Sequence, residues 1–282
     1  MGITQPNPFL GMSLKRNPTA EEAWLLGFLW ADAHLSKEGG LHLEIKASDG
    51  REITKTVMKT GAWCYSERTR KTRSRGPTSL FHKHSKLFRD FLADHDFYRR
   101  ETGAAKILKA LPENLRPHWI RGFFDGDGCV ITNYEARSFN IVFAGPYHQS
   151  WRFLQDFLDL SGLRWRVDRK KTVTGNSSTL KILGGREAVA TFGELIYGEY
   201  GNYDGIGLHR KFTKFKKLAE FPNILGDLRA VKYIAVNLKS GRARIFLSRK
   251  EVVDSGFDMH TVRRCVRGAA ENYSGFAWSV AT

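Results

Sequence analysis

Cysteine is scarce in this 282-residue chain: Cys64, Cys129 and Cys265 are widely separated and form no CxxC pair. That spacing excludes a disulfide frame and a thiolate zinc site, and it fits reduced thiols in an intracellular protein. Long apolar runs are also missing. None approaches the ~18 residues that a membrane-spanning helix requires, and residues 1–20 lack the uninterrupted apolar core of a secretory signal. Acid is in short supply too, with 29 Asp and Glu against 45 Lys and Arg and a net charge of +16. A sequence pI of about 9.9 favours a polyanionic partner, because each phosphate neutralised releases counterions. A membrane surface is the competing polyanion, and the chain has no segment to span it. At 32.1 kDa the chain is long enough for one large core or two to three smaller ones.

What the chain does have is a repeated motif. Residues 120–128 read Ile-Arg-Gly-Phe-Phe-Asp-Gly-Asp-Gly, and residues 25–33, about a hundred positions upstream, read Leu-Leu-Gly-Phe-Leu-Trp-Ala-Asp-Ala. In each copy a glycine is followed by a small residue one helical turn later, Gly27 with Ala31 and Gly122 with Gly126, and then at once by Asp32 or Asp127. On a helix this spacing clears a smooth stripe. Two such stripes pack backbone to backbone and bring the two aspartates together at the C-terminal ends of their helices. The macrodipole disfavours a carboxylate there by ~0.3–1 kcal/mol, so a converging pair points to a bound divalent cation.

These residues resemble the LAGLIDADG homing endonucleases in their single-chain, two-motif form. The second copy keeps both glycines, both aspartates and the apolar positions, and it follows Pro112 and Pro117, where a helix start is expected. The first copy departs at two places. Trp30 stands where the family has a non-catalytic aspartate, and Ala33 where it has the closing glycine, which puts the exit of the first helix in question. The resemblance implies a pseudo-twofold pair of αββαββα half-domains, an α+β fold with a DNA-binding β-saddle, acting as a monomer. It further implies Mg²⁺ (or Mn²⁺) held by Asp32 and Asp127, and a double-strand cut made across the minor groove that leaves 3′ overhangs. A basic residue assists at each site in the family. Lys211 is the choice for the second half and Arg100 for the first, with Lys46 as a rival.

Element signals repeat after each motif. After the first come a strand over residues 41–47, a helix over 53–61, a strand pair over 64–75 and 79–84, and a helix over 86–93. After the second come a strand over 138–144, a helix over 148–160, a hairpin over 163–172 and 178–183, and a helix over 187–197. The strands alternate, so one face packs on helices and the other is free to meet a partner. Basic residues fall there with a period of two: Arg68 and Arg70; Lys71, Arg73 and Arg75; Arg164 and Arg166, with Arg169, Lys170 and Lys171 at the turn beyond. A two-stranded ribbon fits the major groove of B-DNA.

The organisation expected is an arm (1–20), a first half-domain (21–109), a second (110–220), a linker (221–231) and a C-terminal module (232–282). In the module, strands over 232–237 and 242–247 flank Leu-Lys-Ser-Gly. Ser248 then caps a short helix over 249–254, Gly256 turns the chain, and a second helix ends at Gly268. Its stripe is Val262, Cys265 and Val266, which leaves His260, Arg263, Arg264 and Arg267 outward. That pattern suggests helix-turn-helix recognition and is similar to the DNA-binding repeats appended to intron-encoded nucleases; a generic protein-interaction module fits as well. Asp125-Gly-Asp127-Gly is no calcium loop, because Cys129 occupies a position that needs oxygen. His82 and His84 lack zinc-finger partners. The reading is a site-specific DNA endonuclease. Its alternative keeps the fold and the grip without cutting, as an intron maturase or regulator; a basic RNA-binding protein leaves the paired motifs unexplained.

Overall fold

In a computed structural model, residues 18–36, 40–69, 76–133, 138–172, 175–198, 203–220, 232–247, 249–266 and 268–281 are described. The chain divides into two compact units, Met1–Glu220 and Phe221–Thr282.

The first unit opens on α1 (Ala20–Asp32), whose start is fixed by a capping box: the Thr19 hydroxyl accepts from the Glu22 N–H, and the Glu22 carboxylate accepts from the Thr19 N–H at 2.8 Å. Every residue from Glu22 to Trp30 is buried, as an all-round apolar helix requires. There follow β1 (His34–Leu35), β2 (Gly40–Lys46), α2 (Ala47–Lys59), β3 (Cys64–Arg68), β4 (Thr78–His84) and α3 (Lys86–Asp94). A 3-10 segment (Phe97–Thr102), α4 (Ala105–Ala110) and a 3-10 turn (Glu113–Leu115) lead to the second motif helix, α5 (Arg116–Asp127), which has Pro117 in its first turn. Then come β5 (Gly128–Asn133), β6 (Ser138–Pro146), α6 (Arg152–Leu160), β7 (Trp165–Thr172), β8 (Gly175–Ile182), α7 (Gly185–Tyr197) and α8 (His209–Glu220).

Each half therefore runs αββαββα, the α+β architecture expected. Both sheets are antiparallel and share one strand order, β1-β2-β4-β3 and β5-β6-β8-β7. Alternation settles which face is buried. Leu43 pairs with Phe81, and Phe143 with Leu180, on the faces that pack against helices.

Of the boundaries that differ from those read in the sequence, two differ most and have a visible cause. The helix expected from residue 53 begins at Ala47, because Ala-Ser-Asp-Gly, turn-like by composition, is drawn into the helix by contact with β4. A Cβ added at Gly50 would run into the Ser79 side chain. The helix expected from residue 148 begins at Arg152, because the preceding turn is pinned: Trp151 Nε1 donates to Ser178 Oγ (3.0 Å), which donates to the Pro146 carbonyl (2.8 Å).

The second unit contains β9 (Lys232–Asn237), β10 (Ala243–Phe246), α9 (Arg249–Asp254), α10 (Met259–Val266) and β11 (Phe276–Ala281). Its sheet order is β10-β9-β11, and its core gathers Tyr233, Ala235, Phe246, Val252, Val262, Cys265 and Trp278. Val266 is half-buried at the edge of that core. Strand β11 was not expected from the sequence; it forms because Trp278 fills the core beside Phe246, with ring centroids 5.6 Å apart. The Asp258 carboxylate caps α10 by accepting from the Thr261 N–H at 2.8 Å. Ser248, expected as a cap, and Arg267 lie outside the described residues.

Candidate nucleic-acid interface and paired-aspartate site

The site rests on the crossing of α1 and α5, where neither helix tolerates a side chain. A Cβ added at Gly27 would be driven into the Trp119 carbonyl oxygen, and one added at Gly122 into that of Trp24. The contact is reciprocal, so the two motif helices meet about a local pseudo-twofold axis. One turn further on, a Cβ at Gly126 would strike the Ala31 methyl and stand 3.1 Å from Asp32 Oδ2. The Asp32 carboxylate therefore lies against the backbone that presents Asp127. Asp32 is exposed and Asp127 half-buried.

The missing closing glycine leaves the helix exit unchanged. Ala33 leaves α1 with φ −80°, ψ 156°, and Gly128 leaves α5 with φ −87°, ψ 151°. Both are extended backbone open to any residue. Glycine is needed at 128 for room alone, since a Cβ there would meet the Phe124 ring. Among the described residues no group of three or more His, Cys, Asp or Glu side chains is placed to hold a metal ion. Two carboxylates at negative helix ends are hard oxygen donors that suit Mg²⁺ or Mn²⁺, with phosphate and water oxygens needed to complete the shell.

Behind the pair lies a network that sequence reading missed. Asp125 is fully buried and accepts from Trp24 Nε1 (2.9 Å), the Tyr197 hydroxyl (2.8 Å) and the Leu208 N–H (3.0 Å). Burial pushes its carboxyl pKa up, opposed by the nearby Lys211 charge and these donors. The counterpart in the first copy, Trp30, instead packs edge-on to Phe97 and Trp119. A signal for this was present: Trp24 and Trp119 each stand immediately before their motif.

Lys211, chosen for the second half, sits 5% exposed on α8, and its ammonium donates to the carbonyls of Phe124 (2.6 Å), Asp125 (2.7 Å) and Gly128 (2.7 Å). All three of its protons are engaged in closing the end of α5, which makes it a support for Asp127. Burial lowers its pKa to about 8, with the Asp125 charge acting in the opposite direction. Its neighbour Arg210 reaches the other half, forming a bidentate pair with Asp49 of α2 (2.7 and 3.1 Å), and the His209 N–H donates to Glu52. Arg100 lies in the 3-10 segment, and its side chain is outside the described residues. Lys46 ends β2, exposed.

The basic strands divide by face. On β7, Arg166 pairs with Lys181 and Lys170 with Ser177, across the outer face. Arg164, Arg166 and Lys170 are exposed, and Asp168 bridges Arg166 (3.0 Å) and Lys181 (3.1 Å). Arg169 and Lys171 belong to the strand, whereas the sequence reading placed them at a turn beyond it. They turn to the opposite face: Arg169 Nε donates to the Tyr147 carbonyl (3.1 Å), and the Lys171 ammonium stands over the Tyr147 ring. Arg68 is exposed at the end of β3, while Arg70, Lys71, Arg73 and Arg75 lie outside the described residues. In the second unit His260, Arg263 and Arg264 are exposed on α10.

No family model and no curated protein matches the chain. Solved structures do. The chain is similar to I-DmoI in complex with DNA and Ca, at 12% identity and TM-score 0.47, over 72% of this chain and 100% of that one. It is similar to the LAGLIDADG homing endonuclease I-GzeII in complex with its DNA target, at 13% identity and TM-score 0.42, over 73% and 91% of the two chains. It is also similar to full-length DUF199/WhiA from Thermatoga maritima, at 15% identity and TM-score 0.45, over 73% and 63%.

Proposed function

We propose that the protein is a site-specific DNA endonuclease that hydrolyses a phosphodiester bond in each strand at the paired aspartates Asp32 and Asp127. The observation that carries the reading is their approach: Asp32 Oδ2 lies 3.1 Å from the place a side chain at Gly126 would begin, one residue before Asp127. A divalent cation bound between carboxylate and phosphate oxygens would lower the pKa of a water and neutralise charge on the departing oxygen. The chain's own part is positional. Gly27 and Gly122 set the separation of the two helices, Lys211 closes the end of α5, and Asp125 fixes the α5 face to Trp24 and Tyr197. Exposed Arg164, Arg166, Lys170 and Arg68 would meet the DNA backbone, and α10 of the second unit would add a further contact through His260, Arg263 and Arg264.

The test is cleavage of a randomised plasmid library with Mg²⁺, with the ends sequenced, beside Asp32→Asn and Asp127→Asn and with a Ca²⁺ control. Discrete double-strand ends at one long motif are expected, with each variant slowed by about 10²-fold or more. Tight duplex binding without a cut would assign the protein to the non-cleaving regulator or maturase class.

A further inference from the structure

The outer face of the first sheet carries a cluster that the aspartate site does not use. Strand register sets His34 opposite His42, and His42 and Cys64 opposite His82, with His84 two positions further along β4. Leu41, Leu43, Phe81 and Lys83 turn inward. Ring centroids lie 5.2 Å apart for His34 and His42 and 6.1 Å for His42 and His82, each pair 18° from parallel, and His84 stands 5.8 Å from His82 and 6.3 Å from His42. The rings form a ladder across three strands. The arrangement is packed: a Cβ at Gly40 would lie 2.6 Å from His84 Cε1 and 2.9 Å from His42 Nε2. Among the described residues His82 Nδ1, although buried, has no hydrogen-bond partner.

The imidazoles of His42, His82 and His84 lie too close for all three to be protonated without repulsion, and the charges around them add to it. Arg68 on β3 and Lys46 on β2 share the face; among the described residues of these strands Glu44 is its one carboxylate, and it accepts from the Thr78 hydroxyl at 2.8 Å. The His42 pKa is accordingly low, through burial first and then through His34, His82, His84 and Arg68. The second sheet has no such device. Strands β5 to β8 contain no histidine, and their outer face presents Arg166, Lys170 and Lys181, with Asp168 bridging Arg166 and Lys181. Metal binding is the rival use of clustered imidazoles, and no group of three or more such ligands among the described residues is placed for it.

We propose that the His42, His82 and His84 cluster of the first sheet is a proton-gated phosphate-binding surface, so that the first half adds proton-dependent charge to the fixed charge of Arg68 and Lys46 while the second half grips duplex DNA with fixed charge alone. The inference rests on the DNA-binding reading above. A polyanion brought against the ladder offsets the repulsion among imidazolium ions, so binding raises their proton affinity, and by linkage lower pH tightens binding.

The test is fluorescence anisotropy of the full chain with a labelled mixed-sequence duplex, from pH 6 to pH 8 at constant ionic strength with EDTA. One proton taken up corresponds to about tenfold in Kd per pH unit. Wild type is expected to bind at least ~10-fold more tightly at pH 6 than at pH 8. In His42→Gln/His82→Gln that difference is expected to shrink below ~3-fold, with tight binding at pH 6 lost, while His148→Gln, outside the sheet, keeps the full slope. Should the inner pair impair folding, His84→Gln, exposed on the same face, is expected to reduce the slope in the same direction. Binding by wild type that does not change with pH, or a slope unaltered in folded variants, overturns the inference and leaves the DNA-binding reading intact. No duplex binding at any pH removes that reading, and this inference with it.

Discussion

Gly27 and Gly122, with Gly126 set against Ala31, carry most of the geometry at the level of single residues. Gly122→Val drives the Cβ of a branched side chain into the Trp24 carbonyl oxygen and the Phe28 nitrogen, both backbone atoms with no room to give. It is expected to cost about 3 kcal/mol or more, seen as a drop in urea midpoint or failure to fold. Ala33→Gly is the opposite case. The backbone there is already extended, so a glycine in its place is expected to cost about 1 kcal/mol or less and to leave strand-cleavage rates unchanged. A large gain in the rate of one strand would show that Ala33 does limit the first site. The placement of Asp32 and Asp127 at the ends of α1 and α5, and the small-residue stripe, were legible in the sequence because they are local and periodic. The partners of Asp125 were not, since Tyr197 and Leu208 come from distant elements and only packing brings them together.

Among the elements, α8 does what no motif announced. From three consecutive residues it clamps α2 through His209 and Arg210 and closes α5 through Lys211. Arg210 is half exposed, so solvent screening limits its pair with Asp49, and Arg210→Ala is expected to cost about 1 kcal/mol. Lys211→Met leaves three carbonyls at the end of α5 without their donor and is expected to cost about 3 kcal/mol. Cleavage should fall along with thermal stability, while Kd for the duplex changes little. Lost cleavage at unchanged stability would instead make Lys211 a direct participant. Most strands and helices could be read from alternation and periodicity, though not β1, α4, β5, α8 or β11, and boundaries such as Ala47 and Arg152 moved because side chains from other strands, Ser79 and Ser178, claimed the local backbone. The histidine ladder needed register across β1, β2 and β4, which no single strand reveals.

For the molecule as a whole, two units with separate cores imply separable stability. Ending the chain after Glu220 is expected to leave the melting temperature of the remaining unit within about 3 °C of its transition in the full chain. It should weaken duplex binding and flatten its salt dependence by roughly the number of phosphate contacts removed. A single cooperative melt abolished by the truncation would show instead that the units depend on each other. The pairing of α1 with α5 also has a cost in time. Trp24 must wait for Gly122, which lies about a hundred positions later in the chain. At ~5–20 residues per second of synthesis the wait is roughly 5–20 s. Throughout it α1, buried from Glu22 to Trp30 once folded, emerges on the ribosome with its smooth face uncovered, and the first core cannot close before the second motif has been made.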